Sequence, residues 1–166
     1  PMGNAGDLGL MPVLPSNLTS APQPRGEWDI LLNRASVNTL IRHLRTCGHE
    51  IHSFSDVNFL VDRQDKAVAE WMKDCVDALA PVLWSGAALL NTPTVVIASD
   101  LGDGFIRQLM TKLEQKLASS APEARTPPKL LPGSFGNDAE VIGAANLPFF
   151  YQFSTQDHTI EKTGSN

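Results

Sequence analysis

Thiols are scarce in this chain: 166 residues carry only two cysteines, Cys47 and Cys75. Both lie in amphipathic stretches and read as buried thiols of a reducing compartment rather than as a disulfide. Clustered positive charge is also missing. No two Lys or Arg residues are adjacent, and the formal net charge is -5. Phosphate backbones demand clustered cations, so the chain is not expected to grip DNA by itself. A long apolar run is absent too. The longest stretch, residues 78–90, is broken by Pro81, Ser85 and Gly86 and is too short to span a bilayer. No signal-peptide pattern opens the sequence, and the expected location is the cytoplasm, with no membrane partner. Between Met11 and Asp29 there is neither Cys nor His, so that segment cannot supply the N and S donors of a structural zinc site.

What is present is a globular composition, 42% hydrophobic, at a length that supports one core. The sequence is organised around Thr94-Val95-Val96-Ile97. Pro93 stops the preceding segment, and four β-branched residues follow. With helical patterns on both sides, this run is expected to be a fully buried strand in the middle of a small parallel or mixed sheet. Asp100-Leu101-Gly102-Asp103-Gly104 then makes a polar turn, and in open α/β sheets ligands gather beyond the carboxyl ends of strands.

The remaining elements follow from periodicity. Gly3, Gly6 and Gly9 recur at three-residue spacing in a loop whose backbone a ligand can approach closely. Met11-Pro12-Val13-Leu14 suits a short strand, and residues 15–26 an irregular loop. Residues 27–47 read as one helix with Trp28, Leu31, Leu32, Val37, Leu40, Ile41 and Leu44 on its apolar face and Gly48 as its stop. His49 and His52 follow as solvated loop residues, a pair too small to define a metal site. Residues 62–91 read as the longest helix, kinked or split at Pro81, with a central, nearly all-apolar second part. Residues 104–119 are a clean amphipathic helix, Lys129-Leu130-Leu131 a short strand, residues 133–137 a turn and residues 139–153 a last helix.

Two stretches carry a resemblance. Phe135-Gly136-Asn137-Asp138-Ala139-Glu140-Val141-Ile142-Gly143-Ala144-Ala145 resembles the G-x-D-A-x-x-x-G-A-A signature of the ROK family, which holds sugar kinases and sugar-responsive transcriptional repressors. Gly3-Asn4-Ala5-Gly6-Asp7-Leu8-Gly9-Leu10-Met11-Pro12-Val13 looks like that family's G-x-A-G-E-x-G-H-M-P-V loop. The resemblance spans residues 3–153 and implies the C-terminal lobe of a two-lobed protein, actin-like and ribonuclease-H-like, with a polar tail at residues 154–166. The start of the sequence inside a binding loop agrees with a fragment whose other half is missing.

The resemblance places sugar contacts at Asp7, Asp29, Gly6 and Asn4, and a remnant of the nucleotide site at Ala98, Ser99 and Asp100. It also brings departures. The family's sugar-contacting Glu falls on the shorter Asp7, and its sugar- and zinc-linked His falls on Leu10, which does neither job. The Glu that ends the family's cysteine-rich zinc motif aligns with Asp29, at the start of the first expected helix. Where the kinases have a glycine run beside the nucleotide, Ala98-Ser99-Asp100 is bulkier and negative, with no Lys or Arg in the eleven residues before Gly104.

The function expected from these residues is the sugar-sensing and oligomerisation lobe of a ROK-type regulator. It would touch DNA only through a segment outside this chain and would contain no zinc. The alternatives are half of an ATP-dependent sugar kinase, which alone would need ATP and Mg, and a ligand-blind oligomerisation module. No catalytic residue is assigned. Self-association is expected, because the long apolar helix carries more apolar surface than a small sheet covers.

Overall fold

A computed structural model describes residues 7–121 and 125–133. The chain divides at Gly133, and everything described falls before that division. The second signature stretch, its turn and the last expected helix therefore lie outside the described residues, as do Asn4 and Gly6.

The described residues form helices packed on two small sheets, which is an α/β arrangement in the coarse sense. The first sheet is antiparallel. β1 (Pro12–Val13) pairs with β2 (Asp29–Ile30) in the register Pro12 to Ile30 and Val13 to Asp29. The second sheet is parallel. β3 (Thr94–Ile97) pairs with β4 (Lys129–Pro132), Thr94 opposite Lys129 through Ile97 opposite Pro132. A parallel pair needs a crossover, and α4 (Asp103–Ser119) supplies it.

The single helix expected over residues 27–47 is not formed. β2 comes first, then a 3-10 turn over Leu31–Asn33, and α1 begins only at Val37 and ends at Thr46. The cause is local competition for backbone groups. The Asp29 carboxylate accepts from Ile30 N at 2.8 Å, and Ser36 Oγ caps α1 by accepting from Thr39 N at 3.3 Å. Leu31 N meanwhile donates to Met11 O at 3.0 Å, across to the first sheet. Asp29 is thus a strand residue and not a helix N-terminus, and Trp28 and Leu32, assigned to an apolar face, are 60% and 51% exposed. Gly48, at φ +93°, does terminate the helical region, although the exposed Cys47 beside it corrects the expectation of a buried thiol.

α2 (Phe54–Asp62) was not expected. Its signal was Ser53-x-x-Asp56. The Asp56 carboxylate reaches back to the N–H groups of His52 at 2.9 Å and Ser53 at 2.8 Å. Those two backbone bonds, with the Ser53 hydroxyl, hold its pKa below the ordinary carboxylate value. Gln64, at φ +54°, separates α2 from α3 (Lys66–Leu90), whose N-cap Asp65 accepts from Ala67 N at 2.8 Å. The expected start at residue 62 was therefore four residues early.

α3 is not split at Pro81. It runs through the proline as one helix. Pro81 removes the donor that would have met the Asp77 carbonyl, and both residues lie on the exposed side of the helix. The second part is less central than its composition suggested. Val82, Leu83 and Gly86 are buried, but Leu89 and Leu90 are 80% and 72% exposed among the described residues.

β3 forms where expected but is not a fully buried central strand. Among the described residues it has one partner, and Val96 is 58% exposed, while Val95 and Ile97 pack on the core. One packed face and one open face is the alternation of a strand covered on one side only. The main core joins Leu40 and Leu44 of α1, Val57 and Val61 of α2, Val68, Met72 and Cys75 of α3, and Leu113 and Leu117 of α4. Trp71 stands at its centre, donating from Nε1 to Thr39 Oγ1 at 3.1 Å, with its ring 6.2 Å from that of Phe105. A smaller cluster of Val13, Leu31, Ala78 and Val82 fastens the antiparallel sheet to α3.

Arg34 locks this junction. Its Nε and Nη2 fork the Asp74 carboxylate at 3.0 and 2.6 Å, Nη2 also reaches the Asp74 carbonyl at 2.9 Å, and Nη1 holds the Leu14 carbonyl at 2.8 Å. The two side chains are 8% and 10% exposed. A guanidinium suits this position because its rigid fork satisfies four acceptor contacts at once.

Candidate functional site

Of the two carboxylates singled out above, Asp29 lies on the antiparallel sheet and Asp7 on the turn that leads into it. Asp7 precedes a 3-10 turn over Leu8–Leu10 and caps it, its Oδ1 accepting from Gly9 N at 2.9 Å. Gly9 leaves room for this bond. A Cβ at that position would stand 3.0 Å from Asp7 Oδ1, pushing against the carboxylate that the turn holds. The side chain of Asp7 is exposed. The turn leads directly into β1, and through the β1–β2 ladder to Asp29.

Asp29 is 6% exposed. Its Oδ1 accepts twice, from Ile30 N at 2.8 Å and from Asn33 Nδ2 at 2.7 Å. Its Oδ2 is buried with no hydrogen-bond partner among the described residues. A buried acceptor left unmet costs about 1–3 kcal/mol, more when charged, so such an atom calls for an explanation. The 3-10 turn that follows β2 packs against the turn that follows Asp7, at the Pro12–Ile30 end of the first sheet, while Asp29 pairs with Val13 at the other end. Leu10, in the position of the family's histidine, is 39% exposed and offers only apolar surface.

Next to this sheet lies a cleft of about 520 Å³, bounded by Met11, Pro12 and Trp28 on one side and Asp74, Asp77 and Pro81 of α3 on the other. Its size is in the range of small-molecule sites. Asp7 and Asp29 are not among the residues lining it. Trp28 precedes Asp29 in an extended segment, where successive side chains leave on opposite faces.

The loop beyond β3 is tied down rather than open. Ser99 Oγ accepts from Leu101 N at 3.2 Å, Leu101 is buried, and Gly102 N donates to Asn58 Oδ1 of α2 at 3.0 Å. Gly133 N donates to Ile97 O at 2.7 Å, and a Cβ on Gly133 would fall 2.7 Å from that of Ala98. Glycine at 133 thus lets the chain leaving β4 pass close to Ala98, and Ala98 and Asp100 are both exposed. Arg107, one turn into α4, lines a cleft of about 490 Å³ with Asp103 and Gly133 at this end of the sheet.

His49 and His52 do not converge on a metal. His49 Nε2 lies 3.3 Å from the Asp65 carboxylate, and His52 is exposed. A different set does converge: His43, Cys47 and Glu70 bring one donor atom each within 4.8 Å of one another. The signal available in the sequence was the four-residue spacing of His43 and Cys47, which puts Cys47, the C-cap of α1, one turn beyond His43. Glu70, from α3, was not linkable to them without the tertiary fold. No family model matches the sequence, and no curated protein matches it either.

Proposed function

We propose that this chain is the sugar-sensing lobe of a ROK-type transcriptional regulator, with an actin-like, ribonuclease-H-like architecture completed by a second lobe. The observation that carries the reading is the buried, unmatched Oδ2 of Asp29 at the end of the sheet that follows the Asp7 turn. In this reading sugar binding uncovers this buried atom and supplies the donor that it lacks, and vicinal hydroxyls are met by carboxylates able to accept several hydrogen bonds. Asp7 adds a second, exposed acceptor, and the resemblance assigns Gly6 and Asn4 to the same loop. The tied-down, bulkier turn at Ala98-Ser99-Asp100 supports sensing over phosphoryl transfer. In this reading the protein works in the cytoplasm, self-associates, and touches DNA through a segment outside this chain. Among the described residues no helix is long and apolar enough to cross a membrane.

Calorimetry on the full-length protein with hexoses, amino sugars and ATP tests the proposal. One sugar is expected to bind in the micromolar to millimolar range. A hydrogen bond to a charged acceptor contributes about 1.5–3 kcal/mol, so Asp29→Asn is expected to weaken binding roughly 10- to 150-fold, and Asp7→Ala less. Asn is the informative replacement because it removes the charge while leaving an acceptor for Ile30 and Asn33. Micromolar ATP binding with sugar phosphorylation would establish the kinase alternative instead. Absence of any sugar binding would leave a ligand-blind oligomerisation module.

A further inference from the structure

The structure assigns a second site, unrelated to the sugar contacts: we infer that His43, Cys47 and Glu70 form a three-ligand site for a zinc-like divalent ion between α1 and α3. His43 Nε2 lies 3.7 Å from Cys47 Sγ and 3.7 Å from Glu70 Oε2. Around a tetrahedral zinc, with bonds of about 2.0–2.3 Å, N to S and N to O separations come to roughly 3.4–3.6 Å. Both pairs that include His43 thus stand a few tenths of an ångström from coordination geometry without any ion to draw them in, and Cys47 Sγ and the Glu70 carboxylate lie within 4.8 Å of each other.

The imidazole is prepared for this role. His43 is 3% exposed, and its Nδ1 is 2.8 Å from Ser20 Oγ. With the proton on Nδ1 donated to Ser20, the lone pair of Nε2 faces Cys47 and Glu70. A ligating histidine needs such a partner on its other nitrogen to fix tautomer and ring orientation. Cys47 and Glu70 are both exposed, so the ion has an entry path, and water takes the fourth position. One nitrogen, one sulfur and one carboxylate oxygen suit zinc better than calcium or magnesium, which prefer oxygen alone. On binding, Cys47 releases its proton to solvent and ligates as thiolate. Three ligands with an open position make an exchangeable site rather than a closed structural one, and the ion would clamp the end of α1 to α3. The three ligands lie outside the loop of residues 11–29, which contributes only Ser20 behind His43, and the site departs from the expectation of a chain without zinc.

The test uses the full chain, reduced and stripped with chelator, titrated with zinc against a competing chromophoric chelator and separately with Co(II). One metal per chain is expected, together with a thiolate-to-cobalt charge-transfer band. Cys47→Ser is expected to abolish that band, and Glu70→Gln, at an exposed position, to lower zinc affinity at least tenfold. His49→Ala and His52→Ala should change neither. Zinc is also expected to shield Cys47 from alkylation. Substoichiometric binding, a cobalt spectrum lacking the band, a band that survives Cys47→Ser, or one lost in His49→Ala would each overturn the assignment.

Discussion

Removing one half of the Arg34–Asp74 pair is the most demanding test of the packing described here. In Asp74→Ala the guanidinium, 8% exposed, keeps only carbonyl partners, those of Leu14 and residue 74. Two charge-assisted hydrogen bonds are lost, at about 1.5–3 kcal/mol each. One-sided disruption of buried ion pairs costs about 3–5 kcal/mol, so the two routes agree. For a chain of this size each kcal/mol moves Tm by about 2–4 °C, which gives a drop of roughly 6–20 °C. Thermal unfolding followed by far-ultraviolet circular dichroism measures the drop, and urea unfolding the free-energy loss, with an unchanged m-value expected if only stability changes. The double variant Arg34→Met with Asp74→Leu leaves no charge stranded and is expected to be more stable than either single variant. Single variants costing less than about 1 kcal/mol, the range of exposed pairs, would refute the reasoning. Strictly additive effects would do the same.

Two further predictions concern titratable groups. Asp56 is held below the ordinary carboxylate pKa by the N–H groups of His52 and Ser53, so the stability it contributes is present above the unfolded carboxyl pKa and is lost as pH falls through its own lower value. NMR titration should find its midpoint below that of an unstructured Asp, and Asp56→Asn should remove this acid-limb contribution to α2; a midpoint at or above the unstructured value would contradict the cap. The thiols should separate cleanly. Burial raises the Cys75 pKa to about 12, so its neutral form is favoured and its contribution fades as pH rises from the unfolded thiol pKa toward that value. One equivalent of thiol, Cys47, is expected to react with iodoacetamide in the folded, metal-free protein, and the second only after unfolding, as read by mass spectrometry.

Sequence patterning alone determined the elements whose cause is local. α4 shows its buried stripe of Phe105, Ile106, Leu109, Leu113 and Leu117 because 3.6-residue periodicity is a property of one segment, and β3 and β4 are marked by short β-branched or apolar runs beside prolines. Gly48 was legible as a stop for the same reason. Residues 27–47 have helical apolar spacing yet do not form one helix, because the side chains of Asp29 and Ser36 offer the backbone other partners and Asn33 holds the Asp29 carboxylate in place. Asp7 and Asp29 came from a motif, but no motif says that Asp29 Oδ2 is buried and unmatched; that depends on the β1–β2 register and on the contact of the first sheet with α3. Only the tertiary structure decided the pairing of Arg34 with Asp74, forty positions apart, the exposure of Trp28, and the meeting of Glu70 with His43 and Cys47. Each is a matter of which helix face meets which, and a side chain's neighbours across such an interface are fixed by packing that no single segment encodes.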